Sequence, residues 1–143
     1  MAELSSRLRA VVDALPLRPG LRVIEVGGAP GAAAREVAGR IGPDGHVLVI
    51  DRSRKGVELV ERHCSTQIAA GVMSVRLTSV EEATLSAGEA PYDLAFACRV
   101  GVLDGRHPAR ESEALDRLWR MLTPGGRIFV DTREPLGEVS RSS

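Results

Sequence analysis

Glu25, Gly27, Gly28, Gly31 and Asp51 are the residues whose types and spacing can do chemistry. The run Val23-Ile24-Glu25-Val26 passes into Gly27-Gly28-Ala29-Pro30-Gly31, and apolar helical spacing begins at Ala32. That order is strand, glycine turn, helix. Glycines let a backbone pass close to a ligand. The start of the following helix presents free N–H groups and the positive end of its dipole. The stretch predicts a small-molecule cradle at the carboxyl end of a buried strand. A second apolar run, Val47-Leu48-Val49-Ile50, closes on Asp51, 20 residues after Gly31. An acid at that distance, ending the next strand, is placed to accept hydrogen bonds from ribose hydroxyls.

The elements that must position these residues are legible as alternating helices and strands. Leu4, Leu8, Val11, Val12 and Leu15 share a helical face that Pro16, Pro19 and Gly20 terminate. Strands are predicted at Arg22 to Val26, His46 to Ile50, Ser74 to Thr78, Tyr92 to Ala97 and Arg127 to Val130. Between them lie a helix with Ala34, Val37, Ala38 and Ile41 facing inward, and one capped by Ser53 with Val57, Val60, Cys64 and Ile68 on one face. A short helix is expected within Glu81 to Ala87, and a long one from Pro108 to Leu122. Such alternation implies a doubly wound, mostly parallel sheet of about five strands with helices on both faces. Ligands bind such sheets beyond the carboxyl ends of the strands. One domain over residues 1–136 is expected, followed by a frayed tail at 137–143.

Composition narrows the function classes. The 19 cationic and 19 acidic side chains cancel, which gives no bulk attraction to nucleic acid or to an anionic membrane. Aromatic residues are 3% of the chain, too few for a stacking platform on single strands. No apolar run reaches the ~18 residues of a membrane helix, and no signal-peptide pattern opens the chain, so a cytoplasmic location is expected. Cys64 and Cys98 lack metal-ligand spacing and read as reduced thiols, so no metal site is expected. Cys98 reads as a core filler. Arg52, Arg54 and Lys55 form a short basic cluster that reads as a solvated helix start, with an anionic substrate as the second option. His107, in the loop after the fourth strand, is a candidate base, or a plain polar residue ahead of the helix.

A dinucleotide is the first candidate ligand, but the glycines do not match its G-x-G-x-x-G pattern. Counted from Gly27, the pattern falls on Gly27, Ala29 and Ala32, with Gly31 out of register. Glu25 would also repel a pyrophosphate. A cofactor with a cationic end suits that acid better. Here the chain resembles the class I S-adenosylmethionine-dependent methyltransferases, whose first motif is E/D-x-G-x-G-x-G. This sequence has Glu25-Val26-Gly27-Gly28-Ala29-Pro30-Gly31, with Ala29 at the middle glycine. Asp51, the segment Tyr92-Asp93-Leu94-Ala95-Phe96 and the turn Leu122-Thr123-Pro124-Gly125-Gly126-Arg127 continue the resemblance, which covers about Leu4 to Val130.

The resemblance implies an S-adenosylmethionine-dependent methyltransferase with a small-molecule acceptor. Glu25 and the turn Gly27, Gly28, Ala29 and Gly31 would hold the methionine end, Asp51 the ribose, and Arg52 the adenine face. Ser79 stands where the family has an acid for the adenine amino group, with Val80 beside it and Glu81 a substitute. Cys98 and Arg99 would lie beside the sulfonium and the substrate. No catalytic residue is singled out. The family continues past strand five with a helix and an antiparallel strand pair, for which this sequence has few residues. Strand five is therefore expected to be an edge covered by a second copy, by the N-terminal helix or by a partner. The same feature leaves open a cofactor-binding module with an accessory or non-methylating role.

Overall fold

The computed structural model describes residues 4–103 and 107–141. Five strands lie parallel: β1 (Arg22–Val26), β2 (His46–Asp51), β3 (Met73–Leu77), β4 (Tyr92–Ala97) and β5 (Leu122–Val130). A sixth, β6 (Gly137–Val139), is antiparallel to β5, and the sheet order is β3-β2-β1-β4-β5-β6. The winding therefore reverses between β1 and β4, where the loops after both strands leave the sheet together.

Strand parity divides the interior. Val23, Val47, Val49, Leu94, Phe96 and Phe129 face one side, against α1 (Ser6–Ala14), α2 (Ala32–Ile41) and α3 (Arg54–His63). Ile24, Val26, Leu48, Ile50, Ala95, Ala97, Ile128 and Val130 face the other, against α5 (Pro108–Met121). Strands buried on both faces are continuous apolar runs, and Glu25 is the one charged residue among the described residues that is fully buried.

Four details differ from the sequence expectation. The helix after β2 is broken: α3 ends at His63, Cys64 turns at φ −119° and ψ 23°, and α4 (Ser65–Ala69) follows. The break turns the Cys64 thiol in toward the carbonyl of Gly31, 3.6 Å away. The helix expected within Glu81 to Ala87 is a single 3-10 turn, Val80–Glu82, because Val80 is drawn into the core beneath α5. β5 begins at Leu122, with Thr123-Pro124-Gly125-Gly126 bulged out of register between the pairs Tyr92–Leu122 and Leu94–Arg127.

The fourth concerns the sheet edge. Residues 137–139, expected as a frayed tail, form β6 and pair with Ile128, Phe129 and Val130. The edge assigned to a second copy, the first helix or a partner is thus covered here by the chain's own strand. Arg127 grips Glu138 through two bonds of 2.8 and 2.9 Å, and the Arg141 guanidinium lies 4.4 Å above the Trp119 ring. Leu136 packs on the α2 side and Val139 on the α5 side.

A polar cluster braces the entry to β4. Glu89 accepts two bonds from Arg76, at 3.0 and 3.2 Å, one from the Ser86 N–H at 2.8 Å and one from the Tyr92 hydroxyl. Partial burial would raise the Glu89 pKa, but these donors outweigh it and hold the carboxyl below its ordinary range. Arg22 covers the Tyr92 ring at 4.4 Å and caps the carbonyls of Ala90 and Pro91.

Candidate functional site

The glycine turn emerges from β1 at the reversal point. The Gly27 N–H donates to Ile50 at 2.7 Å, which ties the turn to the end of β2. Gly28 is packed so tightly that a Cβ there would stand 2.7 Å from the Glu25 carboxyl carbon and 2.9 Å from Val49. Gly31 opens α2 at φ +106°, a backbone that side chains rarely adopt. Ala29 is half-buried beside the α2 cluster. No side chain caps α2, so its first N–H groups meet no capping oxygen.

Glu25 has the parity of Val23, and its backbone partners are Val49 on β2 and Phe96 on β4. It is 4% exposed, and its Oε1 has no hydrogen-bond partner. Burial first, and the charge of Asp51 second, raise its pKa from 4.5 to about 8. This carboxyl fits a cationic ligand group, because burying it alone is costly and a donor or cation would offset the cost.

Asp51 closes β2 and starts the loop into α3. Its Oδ1 accepts the Ser53 N–H at 2.9 Å, and its backbone carbonyl accepts the Thr78 N–H at 3.0 Å. Gly56 makes room for the carboxylate: a Cβ there would come within 2.9 Å of Oδ1. Ser53 also caps α3 by accepting the Gly56 N–H at 3.1 Å. The Ser79 hydroxyl donates to Glu82 at 3.1 Å.

A cavity of about 340 Å³ opens beside these loops. Of the sequence-predicted site residues, Gly27, Asp51, Arg52, Ser79 and Val80 line it. Glu25, Gly28, Ala29, Gly31 and Cys98 do not; they form the packed base of the turn and the end of β4. Its far wall is Arg99, Val100, Gly101 and Val102 with His107 and Arg110 at the start of α5. Arg99 sits at φ +56°, and its N–H donates to Asp131 at 3.0 Å. Arg110 pairs with Glu81 at 3.3 Å, joining α5 to the turn after β3. Sequence reasoning missed Arg110; the available signal was a cation in the first turn of a helix, where the dipole disfavours it. Cys98 is a thiol pushed up to about 12 by burial, then by Asp131 and Glu25, so it is no nucleophile at neutral pH. Among the described residues no three His, Cys, Asp or Glu side chains group as a metal site, and no helix is long and apolar enough to cross a membrane.

The methyltransferase domain model matches residues 23–126. The chain is 32% identical over 130 residues to a protein-L-isoaspartate O-methyltransferase of Methanothrix thermoacetophila, covering 90% of this chain and 53% of that one. It is 31% identical over 115 residues to a ubiquinone/menaquinone biosynthesis C-methyltransferase of Bordetella parapertussis, covering 80% and 41%. The chain thus spans about half the length of these relatives. An S-adenosylmethionine-dependent O-methyltransferase structure from Thermotoga maritima shares the fold at a TM-score of 0.68 and 18% identity, over 91% of this chain and 45% of that one. The match runs from β1, through the segment that holds the glycine turn, to the bulge of β5: the chain belongs to the class I S-adenosylmethionine-dependent methyltransferase family.

Proposed function

We propose that this chain transfers a methyl group from S-adenosylmethionine to a small-molecule acceptor. One observation carries the reading: Glu25, buried at the end of a central strand, keeps Oε1 without a partner. The ammonium of the cofactor's methionine end is a cation that such a carboxyl would hold, with the N–H groups of the turn at Gly28, Ala29 and Gly31 receiving the carboxylate and Gly27, its own N–H held by Ile50, lining the approach. Asp51 would accept the ribose hydroxyls, and Arg52 and Val80 would flank the adenine. Ser79 is engaged with Glu82 and Glu81 with Arg110, so packing rather than an acid would hold the base.

When bound, the cofactor supplies a methyl group on a positively charged sulfur, already activated for transfer. The chain has to align the acceptor atom within ~3–3.5 Å of that carbon and exclude water. The apolar walls Val80, Val100 and Val102 serve the exclusion. His107, on the same wall, would take the acceptor's proton where the acceptor carries one. The free thiols of Cys64 and Cys98 suit a reducing, cytoplasmic setting.

Calorimetry with S-adenosylmethionine, S-adenosylhomocysteine and NAD tests the reading. Binding of the first two is expected, and binding of NAD alone would overturn it. Asp51→Ala is expected to weaken both by ~1–3 kcal/mol, about 5- to 150-fold, through unpaired ribose hydroxyls. Unchanged affinity would remove Asp51 from that role.

A further inference from the structure

We propose that the acceptor received by this cavity carries an oxyanion, a carboxylate or a phosphate, and that the Arg99 guanidinium holds it. The inference rests on the methyltransferase reading above. Six charged or titratable side chains line the cavity. Arg110 and Glu81 answer each other at 3.3 Å. Asp51 closes β2 with Arg52 next in the chain, and the reading above gives the two to the ribose and the adenine. Arg99 and His107 remain, on the opposite wall, and no acid among the lining residues faces them in a pair.

Among the described residues, Asp131 is the acid that meets Arg99 from outside the cavity, and it is otherwise engaged. Its Oδ2 accepts the backbone N–H of Arg99 at 3.0 Å and meets Arg7 at 3.5 Å. It therefore fixes the Arg99 backbone. That backbone is itself informative. Arg99 is the one non-glycine residue at positive φ among the described residues. The conformation favours glycine or asparagine, and a long cationic side chain kept there points to use of the side chain. A guanidinium presents a planar fork that matches a carboxylate or a phosphate through two parallel bonds. Val100 and Val102 beside it supply apolar surface. The acceptor that fits is a small acid with an apolar body and one anionic end.

The test uses three probes of one shape, benzoate, phenyl phosphate and neutral benzamide. Each is titrated by calorimetry into protein saturated with S-adenosylhomocysteine. At least one anion is expected to bind tenfold or more tightly than benzamide, and which one it is identifies the acceptor's acid group. Arg99→Gly, which suits the backbone, and Arg99→Gln, which keeps the length, are both expected to abolish that preference while leaving S-adenosylhomocysteine affinity within about twofold. No preference for either anion, no detectable anion binding, or a preference that survives both substitutions would overturn the inference. If the unmodified protein fails to bind S-adenosylhomocysteine, the methyltransferase reading fails by itself. The same titrations on the free protein then judge Arg99 by the same criterion.

Discussion

Glu25→Gln is expected to stabilise the free protein and to cripple cofactor binding. The carboxyl is buried among Val49, Phe96 and the packed Gly28, with Oε1 unpartnered and its pKa raised to about 8. In the unfolded chain it titrates near its ordinary value of 4.5. A group whose folded pKa is raised contributes most below the unfolded value, and its contribution is lost as the pH climbs to the folded one. At pH 9 the folded protein must bury a carboxylate. An amide of the same shape removes that charge, with an expected gain of ~1–3 kcal/mol, or roughly 3–10 °C in Tm. At pH 5 the two proteins should melt alike. Affinity for S-adenosylmethionine should fall ~10- to 100-fold, the worth of a hydrogen bond to a charged partner. Thermal melts at pH 5 and 9 with calorimetry decide the matter. A variant less stable at both pH values, or one that binds normally, would contradict the role given to Glu25.

Gly31→Ala is the substitution expected to damage the fold most for the fewest atoms. Two penalties coincide. The residue holds φ +106°, and its new methyl would stand 2.6 Å from the Cys64 sulfur. Left-handed backbone costs a side-chain-bearing residue ~1–2 kcal/mol, and overpacking a tight site ~1–3 kcal/mol. A loss of ~2–5 kcal/mol is expected in urea denaturation, a large share of a domain's net stability. Cys64→Ala in the same chain removes the sulfur contact and leaves the backbone term, so the pair should recover part of the loss and not all of it. A single variant within ~0.5 kcal/mol of the parent would show that the turn can open.

The central part of this fold was legible because its signals are local. Val23 to Val26 and Val47 to Ile50 are apolar, largely β-branched runs closed by glycine or acid, and both form where the pattern places them. The break at Cys64 was illegible, since Val57, Val60, Cys64 and Ile68 keep helical spacing across it and only the proximity of Gly31 accounts for the turn. β6 was illegible for a related reason. Gly137-Glu138-Val139 has no period of its own and becomes a strand through pairing with β5. In the site, Glu25 and Asp51 could be picked out by neighbours in sequence. On the far wall, His107 could be named from its loop and Arg99 from the family resemblance, but Arg110 could not, because it meets Glu81 in the turn after β3 only through the sheet order. The orphaned state of Glu25 Oε1 likewise depends on what β2 and β4 bring beside it.

Glu25 and Glu89 are the same functional group in opposite circumstances. Glu89 accepts four hydrogen bonds on its two oxygens, from Arg76, Ser86 and Tyr92, and its pKa is lowered. Its contribution is present above the ordinary carboxylate range and is lost as the pH falls through the folded value. Glu25 runs the other way, with its contribution lost as the pH rises from 4.5 to about 8. Between them, these two carboxyls favour the free protein in mildly acidic solution, while His46, whose pKa burial lowers, pulls the other way. A cationic ligand on Glu25 removes the penalty at the alkaline side, so the optimum should migrate upward on binding, with a proton released per molecule bound below pH 8. The protein would then carry its own indicator of occupancy: the pH at which it resists melting best, read from melts of the free and the cofactor-loaded forms across pH 4 to 9.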